Sequence, residues 1–320
     1  MILRLGTSKI LQRLILLFCL SLIFGNLASA ESANPVELKL LVYNTHGLPA
    51  LFAKDDPIRR FPAIGEQTKR FQLALLQEDF AHHKILLDSL LENSVTVRGN
   101  DSRFSLCPFC SGAGLTMISN LNQEWRIEVE SEAFNTCSGW LGGLNDCFAT
   151  KGFQLVSIKT PSGKHFFVVN THLDAGRNTS DRQARATQLK QIVAKVQKEA
   201  AGEALIVAGD LNLDWEDPED RVLLEAFRKE LGLINSSKEV QADRGWPILD
   251  YIFYRNGRET TLEVLEIGED KAFQNDVGPL SDHPALFMDS LIFFPLSLKS
   301  NSFDNISSFD QLGKFLSCIK

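Results

Sequence analysis

Short, almost continuously apolar runs recur along the chain and predict strands that are buried on both faces. These runs cover residues 38–43, 73–77, 115–119, 153–158, 166–170, 205–208, 249–253 and 285–288. In other segments apolar positions recur every three or four residues and predict amphipathic helices. The helical segments are residues 81–91, 180–200 and 218–231. Buried strands interspersed with helices are typical of an α/β protein in which helices cover the sheets.

The N-terminus carries a different pattern. Three basic residues precede an apolar run over residues 14–24, and Ala28-Ser29-Ala30 places small residues before a cleavage site. This pattern predicts a signal peptide over residues 1–30, cleaved near Ala30, and therefore a secreted protein, extracellular or periplasmic. An uncleaved membrane anchor is the alternative, but an apolar run of about a dozen residues is short for a membrane span.

The rest of the chain is interpreted as one catalytic domain over residues 31–295, because no repeat or low-complexity linker interrupts it. Residues 98–150 are rich in Cys, Gly and Ser and predict an excursion from a sheet edge. Residues 296–320 form a tail whose apolar positions predict an amphipathic helix, packed either on the domain or on a membrane surface.

Four cysteines fall within the excursion, and secretion makes them disulfide candidates. They are Cys107, Cys110, Cys137 and Cys147. The sequence does not choose among their pairings, and a tetrahedral zinc site is the competing interpretation.

The charge of the chain bears on its partners. It has 33 basic and 40 acidic residues, and loss of the signal peptide removes three basic ones, which leaves a net charge of −10. A protein that binds duplex DNA normally carries a basic surface, because neutralisation of phosphates supplies most of the non-specific affinity. A nucleic-acid substrate is therefore disfavoured without being excluded.

Polar residues suited to metal binding and proton transfer stand at the ends of the predicted buried strands. They are Asn44, Glu78, His172, Asp210, Asn212, Asp250, Asp282 and His283. Ligands in packed sheets gather where strands end, so these side chains are expected to share one cleft.

The order of these residues, with Gly209-Asp210-x-Asn212 and Ser281-Asp282-His283 intact, resembles the exonuclease–endonuclease–phosphatase (DNase I-like) superfamily. The resemblance implies an α/β four-layered sandwich, in which two mixed β-sheets pack face to face with helices on the outside. It also implies metal-dependent hydrolysis of a phosphate ester by in-line attack of water.

The resemblance assigns a role to each residue. Glu78, Asn44 and Asp282 would bind Mg²⁺, or Mn²⁺ or another divalent cation. His283 would be a general base or a charge-stabilising imidazole, with its tautomer fixed by Asp250. Asp210 would orient or deprotonate the attacking water. Asn212 and His172 would hydrogen-bond the phosphoryl oxygens.

Three segments resemble the secreted bacterial neutral sphingomyelinases within this superfamily. They are Asn170-Thr171-His172-Leu173, the segment from Gly114 to Ser119, and Lys151-Gly152-Phe153 after a Gly-rich loop. The expected function is hydrolysis of a sphingomyelin-type phospholipid by a sphingomyelinase C-like phosphodiesterase, with Lys151 contacting the phosphate. The sequence points to no protein partner.

Other functions stay open at this point. A secreted DNase I-like endonuclease is the main alternative, a phosphoinositide phosphatase is a weaker one, and a catalytically inactive binding protein is the weakest. Phe273 is the one aromatic residue between Tyr254 and Ser281, so the aromatic membrane-binding hairpin of that group is expected to be reduced. Membrane contact would then be made by Leu51-Phe52, Trp140-Leu141 or the tail. His46, two residues after Asn44, could edge the cleft, but a packing or surface role is expected for it.

Overall fold

A computed structural model describes residues 35–49, 56–99, 112–139, 147, 149–161, 163–235 and 249–294. Within these ranges the strands are β1 (Val36–Asn44), β2 (Leu73–Gln77), β3 (Val95–Arg98), β4 (Thr116–Ser119), β5 (Arg126–Ala133), β6 (Gly152–Lys159), β7 (His165–His172), β8 (Leu205–Asp210), β9 (Ile234–Asn235), β10 (Asp250–Arg255), β11 (Thr261–Glu269) and β12 (Leu286–Phe293). The helices are α1 (Pro57–Thr68), α2 (His83–Leu87), α3 (Thr179–Glu199) and α4 (Pro218–Leu231). No helix in the described ranges is both long and apolar enough to span a membrane.

The strands form two six-stranded mixed sheets. The first has the order β11-β12-β1-β2-β4-β3 and the second the order β5-β6-β7-β8-β10-β9. Each sheet has one parallel pair at its centre, β1 with β2 and β7 with β8, while its other pairs are antiparallel. The carboxyl ends of a parallel pair lie at the same edge, so each sheet presents two adjacent strand ends there.

Three apolar clusters give the order of the layers. One joins the facing surfaces of the two sheets, with Val42 and Met288 from the first packed with Val168 and Ile206 from the second. A second packs α1 and α2 on the outer face of the first sheet, and a third packs α3 and α4 on the outer face of the second. The expected four-layered sandwich is therefore confirmed.

The two long helices are bounded by local sequence signals. Asn178 and Asp181 form a reciprocal capping box at the start of α3. Asp217 caps α4, and the helix ends at Gly232 in the left-handed conformation. Helix α4 therefore has the predicted bounds, and each end of α3 lies within one residue of its predicted position.

All eight predicted strands are present, and the four unpredicted ones are the edges of the sheets: β3, β5, β9 and β11. Helix α1 was also unpredicted, because Pro62 and Gly65 interrupt its helical pattern. The predicted helix over residues 81–91 is shorter, and α2 covers only His83–Leu87.

Residues 98–150 differ from the predicted excursion. Strand β4 lies inside the first sheet and β5 at the edge of the second, so this segment carries the chain from one sheet to the other. Cys137 and Cys147 form a disulfide. Cys107 and Cys110 lie outside the described residues, as do the signal peptide, the tail, Leu51-Phe52 and Trp140-Leu141.

The segment between β11 and β12 is a tight loop closed by an isolated bridge between Gln274 and Pro279. Phe273, its aromatic residue, is buried against Tyr43 with ring centroids 4.7 Å apart. The loop thus presents no exposed aromatic side chain, in line with the expected reduction of the hairpin.

Candidate active site

The ends of the two parallel strand pairs meet at one edge of the sandwich. In the first sheet Asn44 lies opposite Gln77, the residue before Glu78. In the second sheet His172 lies opposite Asp210. Asn44 Nδ2 donates a hydrogen bond of 3.1 Å to Asp210 Oδ2, and this bond joins the two sheets. The strand ends therefore form a common floor for the site.

His283 lies between two carboxylates of this floor. Its Nδ1 is 2.9 Å from Asp250 Oδ2, and its Nε2 is 3.8 Å from Asp210 Oδ2. Burial opposes the charged imidazolium, but the charges of Asp250 and Asp210 outweigh it and hold the pKa of His283 well above its usual range. Burial also raises the pKa of Asp250 to about 6. At neutral pH the pair is therefore a carboxylate and an imidazolium.

His172 is in the opposite state. Burial first, and then the charges of Lys151 and His283, hold the pKa of His172 well below its usual range, so its ring is neutral. Lys151 Nζ lies 3.0 Å from its Nε2 and donates to the carbonyl of Leu173 at 2.8 Å. Asp210 Oδ2 is 3.5 Å from the same ring nitrogen. Lys151 thus places a cation beside the neutral histidine at this edge.

Asn212 is fixed by the turn that follows β8. Its backbone N–H donates to Asp210 Oδ1 at 2.9 Å, and its side-chain Nδ2 donates to the carbonyl of Leu173 at 3.0 Å. Gly209, within β8, allows this strand to lie close to β7. Its φ is 140°, and a Cβ there would lie 2.0 Å from the carbonyl oxygen of Thr171, so only glycine lets β8 approach β7 this closely.

Glu78, Asp282 and His46 form the opposite side of the site. His46 Nδ1 lies 3.4 Å from Asp282 Oδ1 and 3.8 Å from Glu78 Oε2. Glu78 Oε1 is in turn 3.9 Å from His172 Nε2. The ring of His46 thus lies between two predicted site carboxylates, which corresponds to the cleft-edge alternative rather than to the preferred packing or surface role. No sequence signal separates such a histidine from a surface one.

The site concentrates backbone strain. Among the described residues the non-glycine positions with positive φ are His46, Glu78, Thr150 and Asn212, with φ between 45° and 54°. Three of them are residues of the cluster and Thr150 directly precedes Lys151. Such conformations cost about 1–3 kcal/mol each and persist where surrounding contacts enforce them, most often at functional sites.

Arg60 holds the loops that carry these residues, and sequence reasoning did not single it out. Its buried guanidinium donates to the carbonyls of Thr45, His46 and Leu280 at 3.0, 3.0 and 2.6 Å. Leu280 precedes the Ser281-Asp282-His283 segment. Arg60 therefore ties the turn after β1 to the loop before β12.

Replacing Arg60 by Met should lower the free energy of unfolding by about 3 kcal/mol, because three buried carbonyls lose their donor. The neighbouring Arg59 provides a control, since its pair with Asp276 is exposed and Arg59→Met should cost less than about 1 kcal/mol. Urea unfolding of the two variants and the wild type measures both values. Similar small losses in both variants would contradict the role given to Arg60.

The structure brings the predicted site residues together through contacts of 3.9 Å or less, with Asp282 joined to the others through His46. They are Asn44, Glu78, Lys151, His172, Asp210, Asn212, Asp250, Asp282 and His283. Their proximity is a finding, whereas the role of each stays a prediction.

The donor set of this cluster fits a divalent cation. Four carboxylates, those of Glu78, Asp210, Asp250 and Asp282, face two cations, Lys151 and the imidazolium of His283. The excess of two negative charges and the oxygen-rich donors are what a hard divalent ion requires. Asp210, Asp250 and His283 also have ligand atoms within 4.8 Å of one another. There the imidazolium already lies between the two carboxylates, so Glu78 and Asp282 are the better candidates for metal ligands.

A comparison with known families agrees with this geometry. The sequence profile of Endonuclease/Exonuclease/phosphatase family 2 matches residues 76–242, just over half of the chain. This chain belongs to that family. The matched segment contains Glu78, Lys151, His172, Asp210 and Asn212, which come from both sheets. Fold and family therefore rest on independent observations.

A relative from Mycobacterium tuberculosis is a sphingomyelinase, 27% identical to this family member over 265 residues. The match covers 77% of this chain and 51% of the relative, so the chain spans about half the length of the sphingomyelinases it matches.

Two solved structures share the fold. A double mutant of the beta toxin from Staphylococcus aureus, with bound magnesium ions, has a TM-score of 0.57 and 20% identity, covering 80% of this chain and 99% of the toxin. D. rerio TDP2, complexed with a single-strand DNA product, has a TM-score of 0.58 and 16% identity, covering 79% of this chain and 98% of the other. At these identities the likeness shows the fold alone.

Proposed function

We propose that this chain is a metal-dependent phosphoric diester hydrolase that cleaves a sphingomyelin-type phospholipid with water. The observation that carries the proposal is the meeting of Glu78, Asp210 and the His283–Asp250 pair at the ends of the two parallel strand pairs. The sphingomyelinase relatives support the lipid substrate, and the net charge expected after cleavage disfavours DNA.

Glu78 is the proposed principal metal ligand, with Asn44 and Asp282 beside it, and Mg²⁺ is the proposed ion. The cation would supply positive charge beside the phosphate oxygens, where negative charge grows during the reaction. Asn44 Nδ2 is engaged with Asp210, so its Oδ1 is the atom suited to a metal. That oxygen already accepts from the backbone N–H of His46 at 3.0 Å, which fixes its direction.

Asp210 is the proposed base. Its Oδ1 accepts from the backbone of Asn212 and its Oδ2 from Asn44, so both oxygens are held in place. A water molecule that donates to Oδ2 would lose its proton to this carboxylate as its oxygen bonds to phosphorus. The bond from phosphorus to the ceramide oxygen would then break. The leaving ceramide oxygen would take up a proton from solvent and Asp210 would return its proton to solvent, so that ceramide and phosphocholine are the products.

His283 is the proposed stabiliser of the transition state rather than a base. An imidazolium cannot accept a proton, but its Nε2–H can donate to a phosphoryl oxygen on which charge accumulates. Asp250 holds the imidazolium through Nδ1. Lys151 would contribute a second positive charge, and Asn212 and His172 would help to hold the phosphoryl group.

The pH dependence of catalysis should follow the loss of the proton from the His283 imidazolium. Because His283 must keep its proton and its pKa is raised, kcat/KM should fall as the pH rises through that pKa. Asp250→Asn removes the largest charge that raises the pKa of His283, so the alkaline limb should move to lower pH. His165→Gln, a histidine beside Glu203 and outside the cluster, should leave the limb in place. An unmoved limb in Asp250→Asn would rule out this role for His283.

Export from the cell is part of the proposal. The predicted signal peptide motivates it, and the disulfide between Cys137 and Cys147 suits an oxidising compartment. N-terminal sequencing of the protein from culture medium or periplasm tests it. A mature protein that begins near residue 31 is expected, and a protein retained in the cell with its first residues intact would refute it.

Assays of purified protein with three substrates in parallel test the substrate class. Sphingomyelin vesicles, phosphatidylcholine vesicles and plasmid DNA would each be incubated with Mg²⁺ and, separately, with EDTA. Release of phosphocholine from sphingomyelin that EDTA abolishes is expected. Efficient cleavage of DNA with no lipid hydrolysis would replace this proposal with a nuclease, and full activity in EDTA would remove the metal from it.

A further inference from the structure

We infer that His46 is a nitrogen ligand of the proposed metal site and that it shifts the preference of this site from Mg²⁺ towards Mn²⁺. The inference rests on the proposed metal-dependent function and adds to it a determinant of metal choice. Three observations lead to it, namely the backbone of His46, the spacing of its ring from two carboxylates, and the chemistry of its donor atom.

The backbone of His46 is strained and held from both sides. Its φ is 48°, its N–H donates to Asn44 Oδ1 at 3.0 Å, and its carbonyl accepts from Arg60 Nη2 at 3.0 Å. Histidine is among the residues that adopt this region more often than most, but the conformation is still uncommon outside glycine. Backbone contacts therefore impose the conformation that directs this ring towards the cluster.

The ring of His46 faces two carboxylates but does not approach either to hydrogen-bonding distance with suitable geometry. Its Nδ1 lies 3.4 Å from Asp282 Oδ1 and 3.8 Å from Glu78 Oε2, and within the described part of the chain the ring makes no hydrogen bond. Two other histidines do form hydrogen bonds with buried carboxylates. His83 Nδ1 lies 2.5 Å from Asp79 Oδ2, and His283 Nδ1 lies 2.9 Å from Asp250 Oδ2. The wider spacing around His46 is unlike a charge-assisted hydrogen bond, which is about 2.7–2.9 Å long.

This spacing suits neighbouring ligands of one metal ion. With metal–oxygen bonds of about 2.0–2.2 Å, adjacent ligands of an octahedral ion are separated by about 3 Å. The three atoms, one nitrogen and two carboxylate oxygens, come from three separate segments of the chain. The ligand atoms of His46, Glu78 and Asp282 do not all lie within 4.8 Å of one another, so binding of one ion by all three requires rotation of the two carboxylate side chains towards the ring.

The nitrogen donor decides which ion benefits. Mg²⁺ strongly prefers oxygen ligands, whereas first-row transition ions accept imidazole readily and bind nitrogen-containing sites more tightly. A site made only of carboxylates and carboxamides would favour neither ion through its donor type. An imidazole at the position of His46 therefore strengthens Mn²⁺ binding more than Mg²⁺ binding.

The experiment measures metal binding directly and requires no turnover. Wild-type protein and the variants His46→Asn and His165→Gln would be stripped with EDTA, dialysed, and titrated with MnCl₂ and MgCl₂ by calorimetry. Asn tolerates the left-handed backbone, so His46→Asn removes the imidazole with little added strain. Pulsed electron paramagnetic resonance of bound Mn²⁺ would detect nitrogen nuclei in its first coordination sphere.

His46→Asn should bind Mn²⁺ at least tenfold more weakly than the wild type and Mg²⁺ less than threefold more weakly. The nitrogen signal of bound Mn²⁺ should fall in this variant and stay unchanged in His165→Gln. Thermal unfolding in EDTA checks that the variants fold, and His46→Gly replaces His46→Asn if the latter unfolds early.

Three results would overturn the inference. Unchanged Mn²⁺ affinity in His46→Asn would show that the ring is no ligand. An equal loss for both ions would show a structural role, and tighter binding of either ion would show that the imidazolium competes with the metal. Each of these leaves the proposed hydrolase intact if the wild type binds a divalent cation. A wild type that binds neither ion would contradict both proposals.

Discussion

Glu78→Gln should reduce the hydrolysis rate at least a hundredfold, which corresponds to about 3 kcal/mol or more in the barrier. The substitution keeps the shape of the side chain and removes one negative charge from the proposed metal site. The same variant should bind Mg²⁺ at least tenfold more weakly. Steady-state hydrolysis of sphingomyelin vesicles and calorimetric titration with MgCl₂ measure the two effects.

Glu203→Gln is the matched control for this variant. The side chains of Glu78 and Glu203 have the same exposed fraction, 19%, but Glu203 lies beside His165 and Arg258, away from the cluster. Its variant should keep both the rate and the metal affinity of the wild type. Turnover near the wild-type value in Glu78→Gln would refute its assignment as the principal metal ligand.

Asp210→Asn should lower kcat about a thousandfold, or about 4 kcal/mol in the barrier, because the amide cannot take a proton from water. The backbone N–H of Asn212 can still donate to the remaining oxygen, so the turn after β8 should survive. The new amide NH2 cannot accept the hydrogen bond from Asn44 Nδ2, but the charged proposed ligands Glu78 and Asp282 are unchanged. This variant should therefore lose Mg²⁺ affinity by about threefold, much less than Glu78→Gln.

The two variants together separate metal binding from proton transfer. Asp289→Asn serves as the control for Asp210→Asn, because Asp289 lies on β12 and pairs with Lys39 outside the site. Hydrolysis of a small soluble phosphodiester should fall in step with hydrolysis of vesicles, since Asp210 acts on water rather than on the lipid. If Asp210→Asn keeps more than a tenth of the wild-type kcat, another group must be the base.

The interior of the fold was predictable because its signals are local. A strand covered on both faces needs apolar side chains at every position, and this rule identified all eight interior strands, including β2 and β8 at the centres of the sheets. The edge strands were not predicted because they are half exposed and therefore lack continuous apolar runs. In β5, for example, the burial alternates between exposed and partly buried residues, and charged side chains occupy the outer positions.

The candidate site was predictable to the extent that its residues follow these interior strands. Asn44, Glu78 and Asp210 stand where a buried run stops, and the order of such endings carries the family resemblance. Neither His46 nor Arg60 stands directly at the end of a buried apolar run. Their contacts are with residues from other segments, such as Asp282 and Leu280, and no pattern around positions 46 or 60 encodes those distances.

The sequence alone thus determined which residues are available for chemistry and which strands deliver them, because apolar runs, helix caps and glycine turns act over a few neighbouring residues. Only the tertiary structure decided their states. His172 and His283 both belong to motifs that the sequence identifies, yet one is neutral and the other is charged at neutral pH. Burial, and then the charge of Lys151, lowers the pKa of His172, whereas the charges of Asp250 and Asp210 outweigh burial at His283. These surroundings form only when distant segments of the chain pack together.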